Sequence, residues 1–182
     1  MSEHTILFSA DISPATANNF VQVLAGLAAG GATKVTIALN SGGGNVVAGM
    51  YLHHTMVAMP YEIVTHNVGN VDSIANVIFM AGNTRLACRG STFMFHGVGF
   101  DSNPAERLEE KNLREKLDVV TADHRRIASV IAGRTSLTIN NCMSLFKQQS
   151  TRGADWAVQK GIIGSIADFT YPANGNFYTF FG

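Results

Sequence analysis

Three short stretches of this 182-residue chain hold residue types that could do chemistry together. The first is Gly42-Gly43-Gly44 in "LNSGGGNVVAGM", between an apolar run and the opening of a helix. One glycine is enough to turn a chain, and each further glycine costs backbone entropy on folding. Consecutive main-chain N–H groups ahead of a helix N-terminus do, however, make an anion pocket. The second stretch is "HNVGNVDSIANVIFMAG", where Ser73 stands at a strand-to-helix junction. The third is "STFMFH", which ends on His96, 23 residues after Ser73 and just before "GVG". Singly, a serine at a helix start is a cap and a histidine after an apolar strand is packing. Together, a hydroxyl, an imidazole and an anion pocket are the parts that acyl transfer needs. A phosphate is the other anion to weigh, but "SGGGNVVAG" has neither the Lys-Ser/Thr of a P-loop nor the GxGxxG of a dinucleotide fold.

These parts can meet only if the elements carrying them converge. "TILFSA" (5–10), "KVTIAL" (34–39), "YEIVTHNVG" (61–69), "TRLAC" (84–88), "STFMFH" (91–96) and "IIGSIADF" (162–169) read as strands. A first helix starts at the Ser13 cap with Pro14 at its first position and ends by Gly30. A second, "VVAGMYLHHTMVAM", stops before Pro60, and "SIANVIFMAG" is a short apolar third. Leu108, Leu113, Leu117, Val120, Ile127 and Val130 or Ile131 recur at helical intervals, so a long amphipathic helix is expected over about 104–132. "SLTINNCMSLFKQQ" and "GADWAVQKG" read as two shorter helices. Alternating strands and helices imply an α/β fold with largely parallel pairing, and such layers gather strand C-termini along one edge.

The length fits a single domain, 1–182, with an ordinary core. Thirteen basic and thirteen acidic residues leave no net charge and no basic stripe, so nucleic acid and membrane surfaces are not expected partners. The start carries neither a secretory signal nor a spanning helix, which gives a cytoplasmic expectation. Cys88 and Cys142 lack metal spacing and are expected as free or buried thiols; no cofactor is expected. About half of the charges fall between Asp101 and Arg126, leaving the first hundred residues poor in charge, a first sign of oligomerisation. The tail (169–182) holds Tyr171, Phe177, Tyr178, Phe180 and Phe181, aromatics expected to dock on this domain or on a neighbouring subunit.

"NSGGGNVVAGM", "GNVDSIA" and "FMFHGVG" resemble the "NSPGG", "GxAASM" and "MIHQP" segments of the proteolytic subunit of Clp proteases, serine peptidases of the Clp/crotonase superfamily. The resemblance runs nearly continuously from Thr5 to Ile166 and includes "GADWAVQKGIIGSI", which is similar to the family's "SAxEAxxYGLID". It implies a repeated β-β-α superhelix with the long helix as a protruding handle. It further implies Ser73 as nucleophile, His96 as general base and the N–H groups of Gly43 and Ile74 as the oxyanion hole. The implied activity is an endopeptidase that cleaves peptides or unfolded polypeptides through an acyl-enzyme. The implied assembly is a homo-oligomeric ring of six or seven subunits, single or stacked.

The chain also departs from the family. The third triad position, an Asp in relatives, falls at Gln149, a neutral amide that orients an imidazole but stabilises the imidazolium poorly. Asp72, Asp101 and Asp155 are the other carboxylates considered for that role. Gly42 and Val98 stand where the two family loops have proline, and Val71-Asp72 replaces two alanines. Relatives carry roughly twenty more residues before the first strand, where an unfolding ATPase docks, so an ATPase partner is not expected. Lys147 could serve a Ser-Lys dyad but is worse placed than His96; adjacent His53 and His54 diverge by about 100° on a helix and should not share a metal. His66 and His124 have no partner that sequence can name. Two other functions remain open: a non-catalytic Clp-like subunit, and a crotonase-type acyl-CoA enzyme, for which the matching carboxylates are missing.

Overall fold

The computed structural model describes residues 2–100, 107, 109–172 and 176–181. A parallel sheet is built from β1 (Ser2–Ser9), β2 (Ala32–Ser41) and β3 (Glu62–Asp72), linked by helices α1 (Pro14–Ala29) and α2 (Val46–Val57). After β3 come α3 (Ala75–Phe79), β4 (Thr84–Ala87) and β5 (Thr92–Phe95). β3 is long enough to pair twice: Val64–Asn67 with β4, then Asn70–Asp72 with β5. Its far end is thereby handed from β4 to β5, and that end leads into Ser73. The long helix α4 (Glu110–Gly133) follows, then α5 (Ile139–Gln148), β6 (Ser150–Gly153), α6 (Ala154–Gln159), β7 (Ser165–Ile166) and β8 (Asn176–Phe181).

Local chemistry explains the boundaries. Ser13 Oγ accepts the Thr16 amide at 3.1 Å and Asn45 Oδ1 the Ala48 amide at 2.9 Å, capping α1 and α2. Thr138 and Asn141 cap α5 reciprocally. On α1, Ala17, Phe20, Leu24 and Leu27 form the buried stripe against the sheet. Phe8, Phe20, Phe79, Phe93 and Phe95 are fully buried at the centre of the core. α3 is buried on every side, with Asn76 its one polar residue, whereas α4 buries only Ile127, Ala128 and Ile131 near its C-terminus. Leu113, Leu117 and Val119 of α4 are exposed, so its first half projects beyond the core.

Several expectations shift. The handle helix, expected from about 104, begins at Glu110; positions 104–106 and 108, like Asp101, lie outside the described residues. The last strand expected over 162–169 shrinks to Ser165–Ile166, because Ile162 and Ile163 are core side chains in the turn after α6. β6 has no alternating pattern to reveal it; it exists because Phe95 and its neighbours offer an antiparallel edge. The aromatic tail docks on its own chain as β8, parallel to β1, with Phe180 stacked on Phe8 at 5.3 Å and edge-on to Phe20.

Candidate active site

Ser73 occupies the junction between β3 and α3 with φ +56°, in the left-handed region that a non-glycine residue rarely adopts. The turn is pinned from the neighbouring strand. Ser73 N–H donates to Met94 O of β5 at 2.9 Å, and buried Asn76 donates from Nδ2 to both Met94 O and Ser73 O. These bonds hold the serine at a sharp elbow and leave its half-buried hydroxyl without a hydrogen-bond partner among the described residues.

The glycine loop lies against this elbow. Gly43 has φ +92°, and a Cβ there would come within 2.6 Å of Ser73 Cβ, 2.8 Å of Asp72 O and 3.3 Å of Ile74 N. Only glycine lets the two main chains approach so closely. The loop is fixed from behind by Ile12, whose N–H donates to Gly43 O at 2.7 Å and whose carbonyl accepts from Asn45 N at 2.7 Å. Ile74 N–H is buried and has no acceptor among the described residues, the state expected of an oxyanion donor awaiting a ligand. Gly43 N–H differs: it donates to Ser41 Oγ at 3.2 Å, so an oxyanion would have to replace that hydroxyl.

His96 follows β5 directly and is half-buried. Because Asp72 pairs with Met94, the chain direction of β5 carries His96 past the Ser73 turn, two residues beyond the paired position. The imidazole makes no hydrogen bond among the described residues, so Ser73 and His96 follow the ends of two adjacent strands without being a bonded pair. β6 brings Gln149 to the same end of β5: Phe95 pairs with Ser150, the last pair of that ladder, and Gln149 precedes it, with no hydrogen bond to His96 among the described residues. Gln149 caps α5 in a left-handed conformation, φ +49°, and is exposed.

The alternative carboxylates separate on geometry. Asp155 follows Gly153, which pairs with Thr92 at the other end of β5, about 13 Å of strand from His96, and it meets only Arg89 at 3.5 Å. Asp72 is half-buried; its Oδ2 accepts from Asn70 Nδ2 at 2.6 Å and its buried Oδ1 has no partner among the described residues. Lys147 is exposed on α5. The remaining histidines have structural environments. His53 is buried and joined through Nδ1 to Val77 O at 2.7 Å, while His54 faces solvent. His66 is held against Ala167 O at 2.9 Å, and burial lowers its pKa. Among the described residues no cluster of His, Cys, Asp and Glu could hold a metal ion, and no helix is long and apolar enough to cross a membrane. Cys142 is buried, which pushes its thiol up to about 11.

Beyond His96, the chain and α4 bound a groove of about 370 Å3 lined by Val98, Gly99, Phe100, Lys116, Val119 and Val120. Sequence reasoning missed one residue beside it. His124 of α4 accepts the Val98 N–H on Nε2 at 2.7 Å. Nothing in residue type or spacing marks that contact, since it is made to a main-chain amide.

Comparison with known proteins bears on the family and the fold. The Clp protease family profile matches residues 1–169. The ATP-dependent Clp protease proteolytic subunit 1 of Mycobacterium tuberculosis is 32% identical over 83 residues, 45% of this chain and 42% of that protein. Subunit 3 of Rhodococcus jostii is 30% identical over 104 residues, 53% of this chain and 52% of that protein. The chain thus spans about half the length of the curated relatives it matches. A solved ClpP1 mutant from Listeria monocytogenes has the same fold, with a TM-score of 0.79 over 91% of both chains at 21% identity. A profile spanning nearly the whole chain, together with a fold shared along its length, makes the chain a member of the Clp protease family.

Proposed function

We propose that the chain is a serine endopeptidase that cleaves peptides or unfolded polypeptides through an acyl-enzyme. The observation that carries this reading is the Ser73 elbow: a left-handed serine with the Gly43 main chain packed on it and the unpaired Ile74 N–H beside it. In the reaction, Ser73 Oγ attacks the scissile carbonyl carbon while His96 takes the hydroxyl proton. Ile74 N–H, with Gly43 N–H once turned from Ser41, holds the negative oxygen. Collapse breaks the C–N bond, and His96 returns the proton to the leaving amine. Water then attacks the ester carbonyl with His96 again as base, releasing the acid and restoring Ser73. His96 must close on Ser73 when substrate arrives, a tightening common in peptidases whose unliganded bonds are long.

The exposed apolar side chains of α4, with Val47, Tyr51 and Val57 of α2, support assembly of several copies into a ring. A second reading, an assembled but inert subunit, is favoured by the neutral Gln149 and by the Gly43 N–H already held by Ser41. A fluorophosphonate probe separates the two. The peptidase predicts an adduct on Ser73, located by mass spectrometry, that is absent in Ser73→Ala and slowed at least a hundredfold in His96→Ala. No adduct on protein that sediments as an intact assembly establishes the inert subunit.

A further inference from the structure

We propose that His124 is the positioning residue of the His96 segment: neutral His124 holds that segment in its working place through the Val98 amide, and a protonated His124 releases it. The proposal builds on the peptidase reading for its catalytic consequence, but the contact stands without it.

His124 lies on α4, far from β5 in sequence, and its ring is fixed on three sides. Its Nε2 accepts the Val98 N–H at 2.7 Å. Its face is stacked on Phe146 of α5, centroids 5.7 Å apart at 25°. Its edge meets Gly97, where a Cβ would stand 3.0 Å from Nε2, so the close approach depends on glycine. Phe146 in turn accepts the Gln149 amide on its carbonyl at 3.3 Å. One imidazole therefore braces both chain segments that converge on His96, the one leaving β5 and the one entering β6. Among the described residues neither segment has another anchor of this kind: Val98 lies beyond the last β5 pair and Gln149 before the first β6 pair.

The bond requires a lone pair on Nε2, so it exists only in the neutral ring with the proton on Nδ1. Protonation would set an N–H against the Val98 N–H, donor facing donor. The groups around the ring favour the neutral form: burial lowers its pKa below the usual 6.5, and only Asp123, next to it on α4, opposes that. The Asp123 carboxylate is itself held by Arg126 at 2.8 Å. From α5 the ring meets uncharged Phe146, with Lys147 beside it exposed; the β5 side offers main chain, with His96 the titratable group on that segment. The segment is thus held at neutral pH and let go only in acid, below the range in which an ordinary histidine takes up its proton.

Two variants and two readouts test this. His124→Phe keeps the stacked ring and removes the acceptor; His124→Gln keeps an acceptor that does not titrate. Each is first matched to the wild type in melting temperature and assembly. Deuterium exchange read by mass spectrometry over residues 97–100 at pH 7 should show Val98 protected in the wild type and in His124→Gln, and unprotected in His124→Phe. Labelling of Ser73 by the fluorophosphonate should slow at least tenfold in His124→Phe and recover in His124→Gln, whose rate should then persist to lower pH than that of the wild type. Unchanged exchange and labelling in His124→Phe would overturn the proposal, as would a His124→Gln protein that behaves like His124→Phe. If the wild type itself leaves Ser73 unlabelled, the peptidase reading fails, and the exchange pattern alone decides whether His124 holds the segment.

Discussion

Ser73 keeps a backbone conformation that costs a residue with a Cβ about 1 kcal/mol, and the hydrogen bonds from Asn76 and to Met94 hold it there. A side chain whose task was only to cap α3 would not need such a turn, and Ser73 makes no capping bond. Ser73→Gly should therefore abolish fluorophosphonate labelling while leaving the melting temperature equal or raised by a few degrees. A drop of several degrees would mean that the hydroxyl serves stability instead. Gln149 makes a different prediction. An amide facing His96 could orient the ring but could not offset the charge that the ring gains in the transition state. Gln149→Asp should raise the labelling rate of Ser73 at least tenfold at neutral pH, and an unchanged rate would show that Gln149 does not face His96.

At the scale of elements, the strand that matters most to the site was the least legible one. α1 announced itself by its Ser13-Pro14 start and a regular apolar stripe, and α4 by its spacing, because both signals are written in consecutive residues. β6 is three polar residues and a glycine whose pairing is decided by the edge of β5 far away in sequence, so no local pattern marks it. The same difference divides the site. The Ser73 junction and the Gly43 turn could be read from residue type and order. The occupation of Gly43 N–H by Ser41 and the His124 contact to Val98 both use a main-chain N–H as donor, which nearly any residue supplies, so sequence does not reveal which amide the Ser41 hydroxyl or the His124 ring finds. β8 lies between these cases: its aromatic density foretold docking, while its parallel register on β1 depends on Phe180 finding Phe8 and Phe20. Phe180 is half-buried and stacks with Phe8 at an interplanar angle of 3°. Phe180→Ala should cost about 2 kcal/mol in urea unfolding and raise amide exchange along β1. Loss of stability without faster exchange in β1 would separate the ring contact from the strand pairing.

For the molecule as a whole, buried neutral histidines make stability depend on pH in one direction. His53 sits between α2 and α3, within hydrogen-bond reach of Val77 O, and desolvation brings its pKa down to about 4, with His54 and Arg134 adding to the effect. The unfolded chain binds a proton near pH 6.5 and the folded chain does not, so stability falls as the pH drops from 6.5 towards 4 and levels off below that. A shift of this size corresponds to about 3 kcal/mol, a large share of the 5–15 kcal/mol typical of a folded domain. His66 and His124 are lowered by burial as well and act with the same sign. Acid should therefore loosen α2 from α3, and with α3 the elbow that carries Ser73, at pH values where exposed carboxylates still carry charge. Urea midpoints at pH 7 and pH 4.5, taken at one protein concentration, test this against His53→Asn, which keeps a donor near Val77 but cannot titrate. The variant should be less stable at pH 7 and should lose about 2 to 3 kcal/mol less than the wild type on acidification. Equal losses in the two proteins would move the acid sensitivity away from α2 and onto His66 of β3 and His124 of α4.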